Sequence, residues 1–138
     1  MFSSPQPSLR RAVKLQPDRI DSANVIGAHA ADGVTINGQL HTSSVIVPWT
    51  GEVLPWPCSA LEDLRAEHFE QVARLKPEVV LFGSGTRLRF VRPEALRPLV
   101  EAGIGMETMD TPAACRTYNV LVSEGRSVVA ALLIQPPA

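Results

Sequence analysis

The sequence predicts an α/β domain: an N-terminal β meander followed by a C-terminal βαβαβ unit. Three observations predict it. The dipeptides Asp32-Gly33 and Asn37-Gly38 divide the stretch from Val25 to Val47 into short β-rich runs, and both tolerate the positive φ that two-residue hairpin turns demand. Glu78-Val79-Val80-Leu81-Phe82 is apolar from Val79 onward, the pattern of a strand covered on both faces. Beyond it, strand-like and helix-like runs alternate as far as Leu133, with Pro at helix starts and Gly at helix ends.

Length and charge bound the answer further. The 138 residues predict one domain over 1–138, enough chain to bury about two thirds of its unfolded surface without disulfides or metals. Thirteen basic residues against 14 acidic ones leave a net charge of −1, so nothing points to nucleic acid. An apolar content of 45% with almost no net charge argues against disorder. Residues 1–8, rich in Ser and Pro, are expected to be disordered. The apolar run Val128–Ile134 is far shorter than the ~20 residues of a membrane span, so a membrane protein is not expected. The N-terminus has no basic segment leading into an apolar one, which predicts no secretory signal and a cytoplasmic location. Cys58 and Cys115 are then expected to be free thiols.

The elements follow in order. Val25–His29, Val34–Ile36, Gln39–His41 and Val45–Val47 make the meander. Pro48, Pro55 and Pro57 break it, and Trp49 and Trp56 beside them are expected to cover a sheet edge. Ser59-Ala60-Leu61-Glu62 matches a capping box. It precedes a helix within Ala60–Leu75 whose apolar face is Leu61, Leu64, Phe69, Val72 and Leu75, with a break near Arg65-Ala66. Pro77 stops it, and Glu78–Phe82 is the next strand. Leu88-Arg89-Phe90-Val91 reads as another, and Pro93 opens a helix ending at Gly103. Pro98 conflicts with a helix interior, where it costs about 3 kcal/mol, so a kink or late start is expected there. Met106–Met109 is a strand. Thr111-Pro112 reads as N-cap and first helical residue of a helix that buries Ala114, Tyr118, Leu121 and Val122 and ends at Gly125. Ser127–Leu133 closes the chain's strands.

Two places suggest a ligand. Gly83-Ser84-Gly85-Thr86 follows an apolar strand, where adjacent glycines let backbone amides approach an anion at the strand end that α/β sheets use for ligands. A tight turn explains the same residues, and neither dinucleotide fingerprint nor P-loop is complete: Leu88 stands where the third Gly belongs, and no Gly-Lys-Ser/Thr follows. The second place is the start of the last helix, where Thr111 offers a hydroxyl beside free amides and Arg116 a guanidinium fork one turn in. If the strands ending at Phe82 and Met109 are parallel, both places share one edge, and Ser84, Thr86, Thr111 and Arg116 converge. The alternative is a capped helix with Arg116 paired to Glu107 or Asp110. Cys115 lies where a helix dipole lowers a thiol pKa, but no base is near it in sequence, and a small buried hydrophobe explains it. His29 and His41 lack a third metal ligand at suitable spacing. Arg87, Arg89 and Arg92 form a basic cluster that reads as a charged edge strand or an anionic partner's surface. No catalytic residue, metal or cofactor is assigned.

Four blocks together resemble a known family: Ser44–Pro48, Glu78–Thr86, Met106–Leu121 and Glu124-Gly125-Arg126. The family is a widespread one of small domains of unknown function that includes a mitochondrial complex I (NADH dehydrogenase) assembly factor. The likeness runs from Ile20 to Leu133. Ser84 stands where relatives often carry Thr, and Pro98 is a second departure. The resemblance implies a layered β/α fold with a central mixed sheet, helices on one side and a β layer on the other. It also implies a non-catalytic protein-binding role, with respiratory-complex subunits or assembly proteins as partners. Small-anion binding or catalysis at Gly83–Thr86 and Thr111–Arg116 is the alternative. Oligomeric state is not legible.

Overall fold

A computed structural model describes residues 23–30 and 32–135; the expectation for residues 1–8 lies outside them. Strands β1 (Ile26–Ala30), β2 (Gly33–Ile36) and β3 (Gln39–His41) form a three-stranded antiparallel sheet. The β2–β3 turn holds Asn37 and Gly38 at φ 52° and 83°, the left-handed pair that a tight hairpin of this hand needs.

The fourth run of the expected meander goes elsewhere. Strand β4 (Val45–Pro48) joins a five-stranded sheet of order β5-β4-β8-β6-β7, where β5 is Leu54–Pro55, β6 Val79–Gly83, β7 Gly105–Met109 and β8 Val128–Leu132. β4 runs antiparallel to β5 and β8, while β6 is parallel to both β7 and β8. The central sheet is therefore mixed. Burial on both faces explains why β4 and β8 are apolar without alternation.

Among the described residues three α-helices cover this sheet: α1 (Ala66–Ala73), α2 (Arg97–Glu101) and α3 (Thr111–Ser123). The chain steps from β6 outward to β7 through α2, then back across β6 to β8 through α3. Right-handed crossovers must put the two helices on opposite faces when the direction reverses. They are so placed. On one face α1 and α2 bury Phe69, Val72 and Leu99 against Val80, Phe82, Val129 and Ala131. On the other, Ala114, Cys115 and Tyr118 of α3 pack with Leu81, Ala130, Leu132 and the meander residues Ile26, Val34 and Ile36. The helices thus do not share one side; α3 lies beside the β layer.

The first face is rich in aromatics. Trp56, buried rather than draped over an edge, meets Phe69 and Phe82 edge-on at centroid distances of 5.6 and 6.1 Å, pairs each worth about 0.5–1.5 kcal/mol beyond burial. Its indole N–H donates to the His68 carbonyl.

Local details correct two further expectations and bear out a third. The helix expected in Ala60–Leu75 is a 3-10 turn, Leu61–Asp63, then α1. The break falls where expected, but the Ser59 capping box does not form; instead His68 Nδ1 accepts from the Arg65 N–H at 2.9 Å. Leu88–Val91 is not a strand, because Ser84 Oγ takes the Arg89 N–H and leaves Leu88 and Phe90 facing water. Pro98 produces the late start: Pro93–Leu96 is 3-10 and α2 begins at Arg97, with Pro98 in its first turn.

Candidate functional site

β6 and β7 are parallel in register, Gly83 beside Met109, so the glycine loop and the start of α3 leave the sheet at one rim. Gly83, Ser84, Gly85 and Thr111 meet there, all buried. The Gly85 N–H donates to Thr111 Oγ1 at 2.9 Å, and the Thr111 N–H returns a bond to the Gly85 carbonyl at 2.8 Å. Thr111 Oγ1 itself donates to the Leu133 carbonyl at 2.9 Å. One hydroxyl therefore ties the ends of β6 and β8 to the start of α3. Ser84 adds a second tie: its N–H donates to Met109 O at 2.8 Å and its Oγ donates to Arg87 O at 2.7 Å.

Thr111 is not the N-cap of α3. Asp110 is, accepting the Ala113 N–H on Oδ1 at 2.8 Å. Asp110 and Thr111 are both good capping residues, and the sequence does not choose between them. With the cap in place, the amides of Ser84, Gly85, Thr111, Ala113 and Ala114 all donate to protein acceptors. Thr86 and Arg116 lie exposed, and neither side chain is bonded to another described residue. The alternative pairing of Arg116 with Glu107 or Asp110 does not form.

Cys115 is fully buried. Burial pushes its thiol up to about 12 despite the opposing charge of Arg116, so it is a small core residue. Cys58 is likewise pushed up to about 12 by burial and by Asp63. Both cysteines are free. His29 and His41 both neighbour Val34, on opposite sides of β2, and no group of three or more His, Cys, Asp or Glu suited to a metal occurs among the described residues. No described helix is long and apolar enough to cross a membrane.

A polar seam joins α3 to the meander; sequence reasoning expects a hydrogen-bonded Tyr118 hydroxyl but not its partners, nor the role of Asn119. Asn119 bonds the Ile26 backbone in both directions, at 3.1 and 2.6 Å. The Tyr118 hydroxyl lies 2.9 and 2.8 Å from the carbonyls of Asn24 and Pro48. The available signal was Asn119 itself, a residue that disfavours helix interiors unless its amide has work elsewhere.

A cleft of about 380 Å³ opens elsewhere, on the α1 face, between Leu61–Arg65 and Val91-Arg92. A larger one of about 600 Å³ lies at the amino ends of β6 and β7, near Pro77 and Ile104.

The geometry defines a class: a three-layer α/β domain whose glycine loop and last-helix start are bonded to one another. The chain belongs to the family described as Protein of unknown function (DUF498/DUF598), which it matches over residues 26–133. It is 34% identical over 131 residues to NADH dehydrogenase (ubiquinone) 1 alpha subcomplex assembly factor 3 of Mus musculus, covering 93% of this chain and 69% of that protein. The protein of the same name from Bos taurus is 35% identical over 118 residues, covering 83% and 62%. Among solved structures, a Bordetella parapertussis protein superposes with a TM-score of 0.80 at 38% identity, over 85% of this chain and 100% of the other. A Xanthomonas campestris protein gives 0.73 at 36%, over 83% and 86%. The kinship drawn from the four sequence blocks holds, as does the α/β architecture.

Proposed function

We propose that this chain is a non-catalytic, protein-binding domain that assists assembly of a respiratory NADH dehydrogenase complex, working in the cytoplasm. The observation that carries this reading is kinship along almost the whole chain, 34% identity over 93% of it, with a protein named as an assembly factor of such a complex. The rim supports it from the other side, because five of its amides, those of Ser84, Gly85, Thr111, Ala113 and Ala114, already have protein acceptors. The partners would be subunits of the complex or other assembly proteins. Affinity capture with the full chain tests this: enrichment of NADH dehydrogenase subunits over an unrelated α/β control, retained by Thr86→Ala and Arg116→Ala, supports it. No enrichment contradicts it.

The second reading is a small-anion-binding domain or enzyme at Gly83, Ser84, Gly85, Thr86, Thr111 and Arg116. The shared rim and the exposed Arg116, whose side chain is unpaired among the described residues, favour it; the five occupied amides oppose it. Titration with phosphate, a nucleotide or an acyl-CoA compound separates the two. Amide shifts at Gly83–Thr86 and Ala113–Arg116 establish the anion site, and a flat response at millimolar ligand removes it.

A further inference from the structure

We infer that the segment Arg87–Arg92, with the cleft beside it, is the surface on which an acidic, apolar-bearing segment of a partner protein docks. This deepens the protein-binding reading and rests on it.

Leu88 and Phe90 are 52% and 69% exposed, an unusual display for two large apolar side chains one residue apart. Their exposure is built rather than loose. Ser84 Oγ donates to Arg87 O and accepts from the Arg89 N–H. Val91 is buried in the α1-face core, and the Arg92 guanidinium donates to Leu64 O. Every residue between the displayed pair and on either side of it is therefore anchored. A rigid aromatic anchor loses little entropy on binding, and such anchors dominate interface energetics.

Charge selects the occupant. Arg87, Arg89 and Arg92 lie along the segment, and Arg65 faces Arg92 across the cleft. The cleft's apolar side chains are Leu61, Leu64 and Val91. Arg89 Nε is buried without an acceptor among the described residues, and its partly exposed guanidinium forms a loose ion pair with Glu62, NH1 to Oε2 at 3.7 Å. An incoming chain that places an apolar side chain in the cleft and carboxylates on the exposed guanidinium nitrogens matches the apolar lining and the positive charge together.

Other occupants fit less well. Nucleic acid would find Phe90 as the sole aromatic of residues 83–104 and an aliphatic Leu88 that offers no stacking face. A second copy facing this surface would set Arg against Arg. The chain's own residues 1–22 carry Arg10, Arg11, Lys14 and Arg19 against Asp18 and Asp21, the wrong balance for a basic surface.

The test uses the isotope-labelled full chain and a synthetic peptide alternating Glu with Leu and Phe. Amide shifts should gather on Leu61–Arg65 and Arg87–Arg92. Affinity should fall at least tenfold in a Leu88→Ser, Phe90→Ser double variant and in Arg87→Glu, with the melting temperature of each unchanged because these side chains are exposed. A flat response at millimolar peptide, or shifts elsewhere, overturns the proposal. So does equal binding of a Glu/Ser peptide or of oligouridylate, which would make the surface a general polyanion site. In the capture experiment, loss of subunit enrichment in the Leu88→Ser, Phe90→Ser variant supports the surface. Enrichment kept by that variant sinks the surface but leaves the protein-binding reading standing, whereas no enrichment by the wild-type chain sinks both.

Discussion

A Cβ on Gly83 would stand 2.9 Å from Thr111 Oγ1 and 3.0 Å from Thr111 Cα. The first helical residue of α3 thus packs against the last residue of β6 so closely that only glycine fits. Gly83 is needed for this approach, not for an unusual φ, since it is not among the glycines held at positive φ. Gly83→Ala should therefore destabilise the fold by about 1–3 kcal/mol, because the blocking atoms are the Thr111 Cα, the Thr111 Oγ1 held by two hydrogen bonds, and the buried Leu132 side chain. Urea unfolding would read this as a lower midpoint with an unchanged slope.

The Thr111 hydroxyl gives a second prediction. Thr111→Val removes the donor to Leu133 O and the acceptor of the Gly85 N–H, leaving two buried groups unpaired, at a cost of about 1–3 kcal/mol each. Thr111→Ser keeps both bonds and should unfold at nearly the wild-type midpoint. Equal loss in the two variants would show that the methyl group, not the hydroxyl, matters.

Tyr118→Phe tests the seam between α3 and the meander. The hydroxyl it removes serves carbonyls of Asn24 and Pro48, so a loss of about 1–3 kcal/mol is expected. Amide exchange should quicken locally from Asn24 to Ile36. Uniform acceleration across the sheet would contradict a local role.

Alkaline pH supplies a fourth. Burial holds the thiols of Cys58 and Cys115 at about 12, above their ordinary 9.0, and also raises the Tyr118 hydroxyl. Above pH 9 the unfolded chain gives up protons that the folded chain keeps, so stability must fall as pH rises from about 9 towards 12 and stay flat with respect to these groups below about 8. Cys115→Ala should show a shallower decline. At pH 8 neither thiol should react with a disulfide reagent until urea is added; rapid labelling of the native chain would refute this.

What the sequence yielded depended on how local the cause was. The Asn37-Gly38 turn, the late start at Pro98 and the end of α3 near Gly125 are set by backbone chemistry within a few residues, and each was legible. β4 was not, because its pairing with β8 joins Val45 to Leu132 across most of the chain, and a strand's partner leaves no mark in its own pattern. Leu88–Val91 misled through its alternation: the inward residues are Arg89 and Val91, and a side-chain bond from Ser84 replaces the ladder. For the candidate site, parallel β6 and β7 put the glycine loop and the α3 start on one rim as expected. That their donors would satisfy each other depends on a hydroxyl angle and on Asp110 taking the cap, neither of which spacing encodes.

The most direct test of the assembly role is the amount of intact NADH dehydrogenase complex, measured by native electrophoresis with in-gel activity, in cells depleted of this chain. An assembly role predicts loss of the intact complex with subassemblies accumulating, and restoration by the wild-type chain. A complex of normal size and abundance in the depleted cells would contradict it.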